Sequence, residues 1–158
     1  MAAVPDLGRY VAVREYGPAD FETVYAIDCA AFEEGRRMSR EKLRHHLGTP
    51  NTRALVAEER GTVVAYALAC VKAQGLGYLK VLAVVPGLQS RGIGSRLMAD
   101  IEAWLWESGA GAIMLETAND ETSARDFYER HGYFVLEVLD RFYEDGTGAF
   151  RMMKDPEM

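Results

Sequence analysis

The stretch "VVPGLQSRGIGSRLMADIEAWL", Val84 to Leu105, decides the reading of the fold. An apolar strand runs into Pro86, and a short loop follows with Gln89, Arg91, Gly92 and Gly94. Ile93, Leu97, Ile101, Trp104 and Leu105 then fall at helical spacing. A helix is therefore predicted to start near Gly92. Its first amides have no partner inside the helix and point back into the loop. Together with the helix dipole they form a site for an anion. Gly92 and Gly94 remove the side chains that would keep a phosphate at a distance. Arg91 and Arg96 add positive charge. A bare strand–helix turn, with glycine there only for packing, is the alternative reading of the loop alone.

The usual phosphate loops do not fit. A dinucleotide fingerprint needs a third glycine where this chain has Leu97, and a P-loop needs Gly-Lys-Ser/Thr where it has Gly94-Ser95-Arg96.

Working outward, "YVAVREY" (Tyr10–Tyr16) alternates like a strand, and Pro18 opens a helix to about Phe32. Ser39 caps a second helix, "REKLRHHL", after the loop "EEGRRM". "RALVAEE" and "TVVAYALACVK" form a hairpin around Arg60-Gly61, and "GYLKVLAVV" is the strand that ends at Pro86. After the long helix come the short strand Ala112–Thr117 and a helix from Thr122 to Gly132. "YFVLEVLDRFY" (Tyr133–Tyr143) and "GAFRMMK" are two strands joined through "EDGTG". Strand, helix, strand, helix, strand in the middle, with antiparallel hairpins on either side, gives an α/β (α+β) mixed sheet with helices on its faces. Gly77 to Thr117 reads as one right-handed crossover between parallel strands. Ligands sit at the carboxyl ends of such strands, here Val84-Val85 and Glu116-Thr117.

The totals agree with one domain, 1–158, ordered over about 9–154. Apolar residues are 49% of the chain, enough for a core. No apolar run reaches the roughly 18 residues of a membrane span, and "MAAVPDLGRY" lacks the marks of a secretory signal. Cys29 and Cys70 read as reduced thiols of a cytoplasmic protein. The net charge of −6 argues against a nucleic-acid partner and favours a cationic substrate such as an amine. His45 and His46 point about 100° apart on a helix and cannot share a metal as i, i+4 would. His131, at a helix end, would suit the dipole as a cation. No metal constellation is present in the sequence.

"LAVVPGLQSRGIGSRLM" resembles the coenzyme A loop of the GCN5-related N-acetyltransferases (GNAT), whose pattern is Gln/Arg-x-x-Gly-x-Gly/Ala, met here by Gln89, Gly92 and Gly94. "LETANDETSARDFYERHGYFVLEV" is similar to the second half of that family. The resemblance implies a mostly antiparallel seven-stranded sheet. Its central parallel pair is splayed at the cofactor site, and about four helices lie on its faces. It implies acetyl-CoA as cofactor, with the pyrophosphate on the amides of Gln89, Arg91, Gly92, Gly94 and Ser95 and the pantetheine arm along Leu82 to Val84. An amide near Val84 would polarise the thioester carbonyl.

Tyr128 matches the family tyrosine near the sulfur. Free tyrosine titrates near ~10 and a thiol near ~8.5, so full proton transfer to the thiolate is uphill by roughly 2 kcal/mol. A hydrogen bond to the thiolate is preferred, against a plain core role. Glu116 matches the glutamate that serves as base through water in the N-terminal acetyltransferases, against a solvated strand end. Glu121 stands where the family often carries the asparagine that contacts pantetheine. A carboxylate accepts but cannot donate as asparagine does.

The terminal "LDRFYEDGTGAFRMMK" is similar to the ribosomal-protein-alanine and Nα-acetyltransferase branch, which makes Tyr143 a candidate for lining the acceptor. Phe32 to Met38, in a charged stretch that otherwise reads as a solvated face, would be part of an acceptor lid.

The expected activity is direct acetyl transfer, in a ternary complex, to a protein or peptide N-terminal α-amine. The alternatives are a small-molecule amine (polyamine, amino acid or aminoglycoside-like) and a non-catalytic acyl-CoA-binding module. The second is disfavoured by the presence of both Glu116 and Tyr128. Neither nucleic acid nor membrane is an expected partner, and homodimers are common among relatives.

Overall fold

The computed structural model describes residues 6–156. The chain order is β1 (Ala12–Glu15), α1 (Phe21–Ala31), α2 (Arg40–Leu47), β2 (Thr52–Glu59), β3 (Thr62–Lys72), β4 (Leu76–Val84), α3 (Ile93–Glu107), β5 (Ala112–Ala118), α4 (Thr122–Arg130), β6 (Phe134–Leu139) and β7 (Ala149–Lys154). The strands form one seven-stranded sheet in the order β1-β2-β3-β4-β5-β7-β6. Among the described residues only β4 and β5 run parallel. This is the mixed, mostly antiparallel sheet expected from the sequence. No helix of the described residues is long and apolar enough to cross a membrane.

The sheet is covered on both faces. α3 lays Ile93, Leu97, Ile101 and Leu105 into one apolar cluster, each fully buried. On the other face Val24 and Ile27 of α1 and Leu43 of α2 pack against Val56, Tyr66 and Leu68. Each such aliphatic side chain stabilises the fold by roughly 1.5–3 kcal/mol. α2 starts where Ser39 Oγ accepts from the Lys42 amide at 3.1 Å.

Four predicted boundaries shift, each for a local reason. The strand expected at Tyr10–Tyr16 begins at Ala12, because Asp6 caps a 3-10 turn, Leu7–Arg9, that ends at Tyr10. The helix expected from Pro18 begins as a 3-10 turn, and the α-helix proper starts at Phe21. The helix expected to reach Gly132 ends at Arg130. Gly132 turns at φ +92 and the Tyr133 amide closes back on Tyr128 O at 3.1 Å. The strand expected over Tyr133–Tyr143 is only Phe134–Leu139. Leu136 is an extra residue in its register with β7, and Arg141 turns at φ +52.

One feature of the sheet positions the site. β4 and β5 pair only at Leu76–Tyr78 against Ala112–Met114. Beyond that, Lys80 bulges from the register of β4 with β3, which adds twist. β5 meanwhile follows β7 from Ile113 to Ala118. The two strands therefore part, and their facing edges carry backbone N–H and C=O groups without a strand partner.

Candidate active site

The loop after β4 is held in an unusual shape. Gly87, Ser90 and Gly92 all take positive φ, at +96, +63 and +90. Left-handed residues set among right-handed ones turn successive amides toward one side, as in anion nests. Among the described residues, none of the amides from Gln89 to Ser95 finds a protein acceptor; Leu88 N bonds Val85 O and Arg96 N bonds Gly92 O on either side. The Gln89 side chain turns back and donates to Val84 O at 3.1 Å, latching the loop to β4. From the other side Leu7 N donates to Arg91 O at 2.7 Å. A Cβ on Gly92 would overlap Asp6 Oδ1, whereas one on Gly94 would meet the Phe127 ring at an ordinary 3.5 Å. The two glycines thus do different work.

Arg96 was expected to add charge for the phosphate. Its guanidinium instead donates to the carbonyls of Gly8 and Val11 and pairs with Asp100. It fastens the N-terminal segment to α3.

The loop opens into a cavity of about 690 Å³ between the parted strands. Its walls include Phe32, Leu82, Val84, Gln89, Gly92, Gly94, Ser95, Glu116, Tyr128 and Tyr143. Arg91 lies outside it, in an adjoining hollow with Asp6 and Arg96. Tyr128 projects from α4 between Phe127 and Tyr133, with ring centroids at 5.3 and 5.9 Å. Burial pushes its hydroxyl pKa well up, with Tyr143 and Glu121 adding to the shift. Tyr143 is pushed up to about 12, first by burial and then by the carboxylates of Glu116 and Glu121.

Glu116 lies in a cross-strand row. Register sets it opposite Arg151 of β7, which in turn faces Glu137 of β6. Arg151 Nε donates to Glu116 Oε2 at 2.9 Å and Arg151 Nη1 to Glu137 at 2.6 Å. The Glu116 side chain is only 6% exposed.

Three further groups have partners that the sequence reading did not give. The charged stretch after α1 is not merely a solvated face. Arg40 and Arg44 lie over the rings of Tyr25 and Phe21, at 4.4 and 3.8 Å, and the Arg36 side chain is 9% exposed. Arg36 reaches Asp120, Glu121, Asp145 and Thr147. Glu121 therefore engages a guanidinium at the cavity wall, 3.3 Å away. Asp28, buried, also lines the cavity; it accepts from Tyr66 OH at 2.6 Å and from Met38 N at 3.0 Å. Burial raises its carboxyl pKa. His131, expected as a cation, is instead shifted down by burial, and its Nε2 lies 3.0 Å from Ser95 Oγ. Among the described residues no group of His, Cys, Asp and Glu could hold a metal ion.

The chain matches the model of the acetyltransferase (GNAT) family over residues 21–133. It is 38% identical over 80 residues to N-alpha-acetyltransferase 30 of Schizosaccharomyces pombe, covering 51% of this chain and 53% of the relative. It is 36% identical over 100 residues to an uncharacterized N-acetyltransferase of Methanocaldococcus jannaschii, covering 63% of this chain and 64% of the relative. The chain thus spans between about half and two thirds of the length of these curated relatives. Among solved structures, Ard1 from Thermoplasma volcanium superposes with a TM-score of 0.83 at 23% identity, covering 92% of this chain and 97% of that one. The ribosomal-protein-S18-alanine N-acetyltransferase from Escherichia coli gives 0.82 at 20% identity, covering 94% and 95%. Those two likenesses are of fold. The family match spans most of the chain, and the chain belongs to the acetyltransferase (GNAT) family.

Proposed function

We propose that this chain is an acetyl-CoA-dependent N-acetyltransferase that acts by direct attack in a ternary complex, with a protein or peptide N-terminal α-amine as acceptor. The observation that carries this is the run of unpartnered amides from Gln89 to Ser95 opening into the gap between β4 and β5. The residues present fit the coenzyme. Unpartnered amides at the start of a helix suit a diphosphate. The free edge of β4 at Leu82–Val84 suits an amide-bearing arm added as a strand. Acetyl-CoA supplies an acyl group activated as a thioester.

The chain's own residues take the remaining roles. Glu116 accepts the proton that an acceptor ammonium must lose before it attacks, through water. Tyr128 donates a hydrogen bond to the departing thiolate. Its raised pKa makes it a firmer phenol and a poorer proton source than free tyrosine. Phe32 and Tyr143 line the acceptor end. The curated relative named N-alpha-acetyltransferase 30 supports an α-amine acceptor. The acid groups of the cavity, Asp28, Glu116, Glu121 and Asp126, also suit a small cationic amine, which is the second reading. The free thiols of Cys29 and Cys70 suit a reducing, cytoplasmic setting. The exposed Phe134, Leu136 and Val138 on edge strand β6 suit a homodimer.

The test mixes the protein with acetyl-CoA, a panel of N-terminal peptides and small amines, and a thiol reagent. Thiol release that requires a peptide with a free α-amine supports the proposal. Release only with small amines supports the second reading. Coenzyme binding with no release from any amine overturns both and favours an acyl-CoA-binding module.

A further inference from the structure

The acceptor end of the cavity is bounded by three segments: the loop after α1, the start of α4, and the β6–β7 loop, the last two also joined by Asn119 N donating to Gly148 O at 3.0 Å. They meet on one side chain. Arg36 Nε donates to Asp145 at 3.0 Å, Nη1 to Asp120 at 2.9 Å and Glu121 at 3.3 Å, and Nη2 to Asp120 at 2.8 Å and Thr147 Oγ1 at 2.9 Å. All three nitrogens of the guanidinium are engaged. The loops also touch directly, since a Cβ on Gly35 would stand 2.6 Å from Asp145 Cβ. Thr147, held by Arg36, accepts at its carbonyl from the Tyr143 amide at 3.0 Å. The guanidinium carbon lies 5.9 Å from the centre of the Tyr143 ring.

We propose that Arg36 is a positioning residue of the acceptor site: it clamps these three segments into one wall and so sets where Tyr143 and Glu121 stand toward the incoming amine. The proposal rests on the acetyltransferase reading for its substrate, and on the geometry alone for the clamp. Arg36 is the cation among three carboxylates that otherwise repel one another. A lysine, a point charge without the planar fork, cannot bond them together. None of Arg36, Asp120, Glu121, Asp145 or Thr147 belongs to either buried apolar cluster. The clamp also accounts for Glu121 at the place where the resemblance leads one to expect asparagine: a carboxylate there completes the set around Arg36.

The test compares Arg36→Ala, Arg36→Lys and Asp145→Asn with the unaltered chain in three measurements. These are acceptor saturation kinetics, calorimetric binding of acetyl-CoA, and amide hydrogen exchange. In Arg36→Ala the acceptor KM is expected to rise about tenfold or more while the coenzyme Kd changes less than about threefold. Exchange is expected to quicken together over residues 33–38 and 140–147. Arg36→Lys should recover little of this. An acceptor KM within about twofold of the starting value, or coenzyme affinity falling in step with it, overturns the proposal. Should the unaltered chain acetylate no amine in the panel, that result counts against the acetyltransferase reading. The exchange data then decide the clamp: joint release of both segments supports it, and release of one or neither overturns it. If Arg36→Ala does not fold, Asp145→Asn carries the same outcomes with a smaller rise in KM.

Discussion

Ser95 Oγ lies 3.0 Å from His131 Nε2. The contact joins the first turn of α3 to the C-cap of α4. It ties the loop proposed to hold the diphosphate to the helix that carries Tyr128. His131→Ala should therefore weaken acetyl-CoA binding by about threefold to tenfold, roughly what one lost hydrogen bond costs. Calorimetry checks this, and an unaltered Kd would show that the contact does not serve the coenzyme.

Gly92 and Gly94 should answer differently to the same substitution. Gly92 sits at φ +90 with Asp6 against it, so Gly92→Ala brings backbone strain and overlap together. It should cost more than about 1 kcal/mol of stability and lower coenzyme affinity. Gly94→Ala meets only ordinary contacts and should stay within about 0.5 kcal/mol. Urea midpoints separate the two, and equal losses would contradict this account of the loop.

Tyr128→Phe should lower kcat by about tenfold or more while leaving coenzyme affinity nearly intact, because it removes the hydrogen bond proposed to form with the departing thiolate. Burial holds the hydroxyl well above its ordinary pKa. No alkaline loss of activity from this tyrosine should therefore be seen below about pH 10. Steady-state rates across pH test both statements, and an unchanged kcat removes Tyr128 from the chemistry.

Glu116→Gln keeps an acceptor oxygen for Arg151 but cannot take up a proton. The rate should fall roughly a hundredfold. Loss should be greatest for acceptors whose amines titrate high, since a lysine-like amine near ~10.4 needs more help than an α-amine near ~7.7–8.0. A uniform, small loss would leave Glu116 with a structural role in the Glu116–Arg151–Glu137 row.

His46 is held down to about 4, first by burial and then by the charges of Lys80 and Lys42. Its Nδ1 lies 2.7 Å from Lys80 Nζ, which can only donate. The unfolded chain thus takes up this proton first as pH falls. Its penalty is absent above the ordinary value of 6.5, and stability drops as pH goes from 6.5 toward about 4. Asp28, shifted up, contributes with the opposite sign. The diagnostic is therefore the difference between the unaltered chain and His46→Gln, whose urea midpoint should fall less steeply with acid. Equal slopes would contradict the assignment.

What the sequence revealed and what it hid follow from distance along the chain. The loop between β4 and α3 was legible because its cues are neighbours: a strand, a proline, bare glycines and a helical stripe within Val84–Leu105. The parted strands were expected from resemblance. Their cause, the Lys80 bulge and the short pairing with β5, is a matter of register that no local pattern records. Arg96 looked like a phosphate ligand because its partners Gly8 and Val11 lie 88 and 85 residues away. Arg36 was not singled out within the expected lid stretch, Phe32 to Met38, for the same reason. Its partners Asp120, Asp145 and Thr147 are 84, 109 and 111 residues off, and a charged loop does not announce which arginine turns inward. The available hint was two acid-rich turns, "NDE" at Asn119–Glu121 and "EDG" at Glu144–Gly146, that would need a common cation.

Titration calorimetry of acetyl-CoA into the intact chain, run beside Gly92→Ala, bears most directly on the amides of Gln89 to Ser95 as a diphosphate cradle. One molecule bound per chain, with affinity lowered more than about tenfold by the substitution, is the expected result. No heat of binding at millimolar coenzyme, or equal affinity for both proteins, would contradict it.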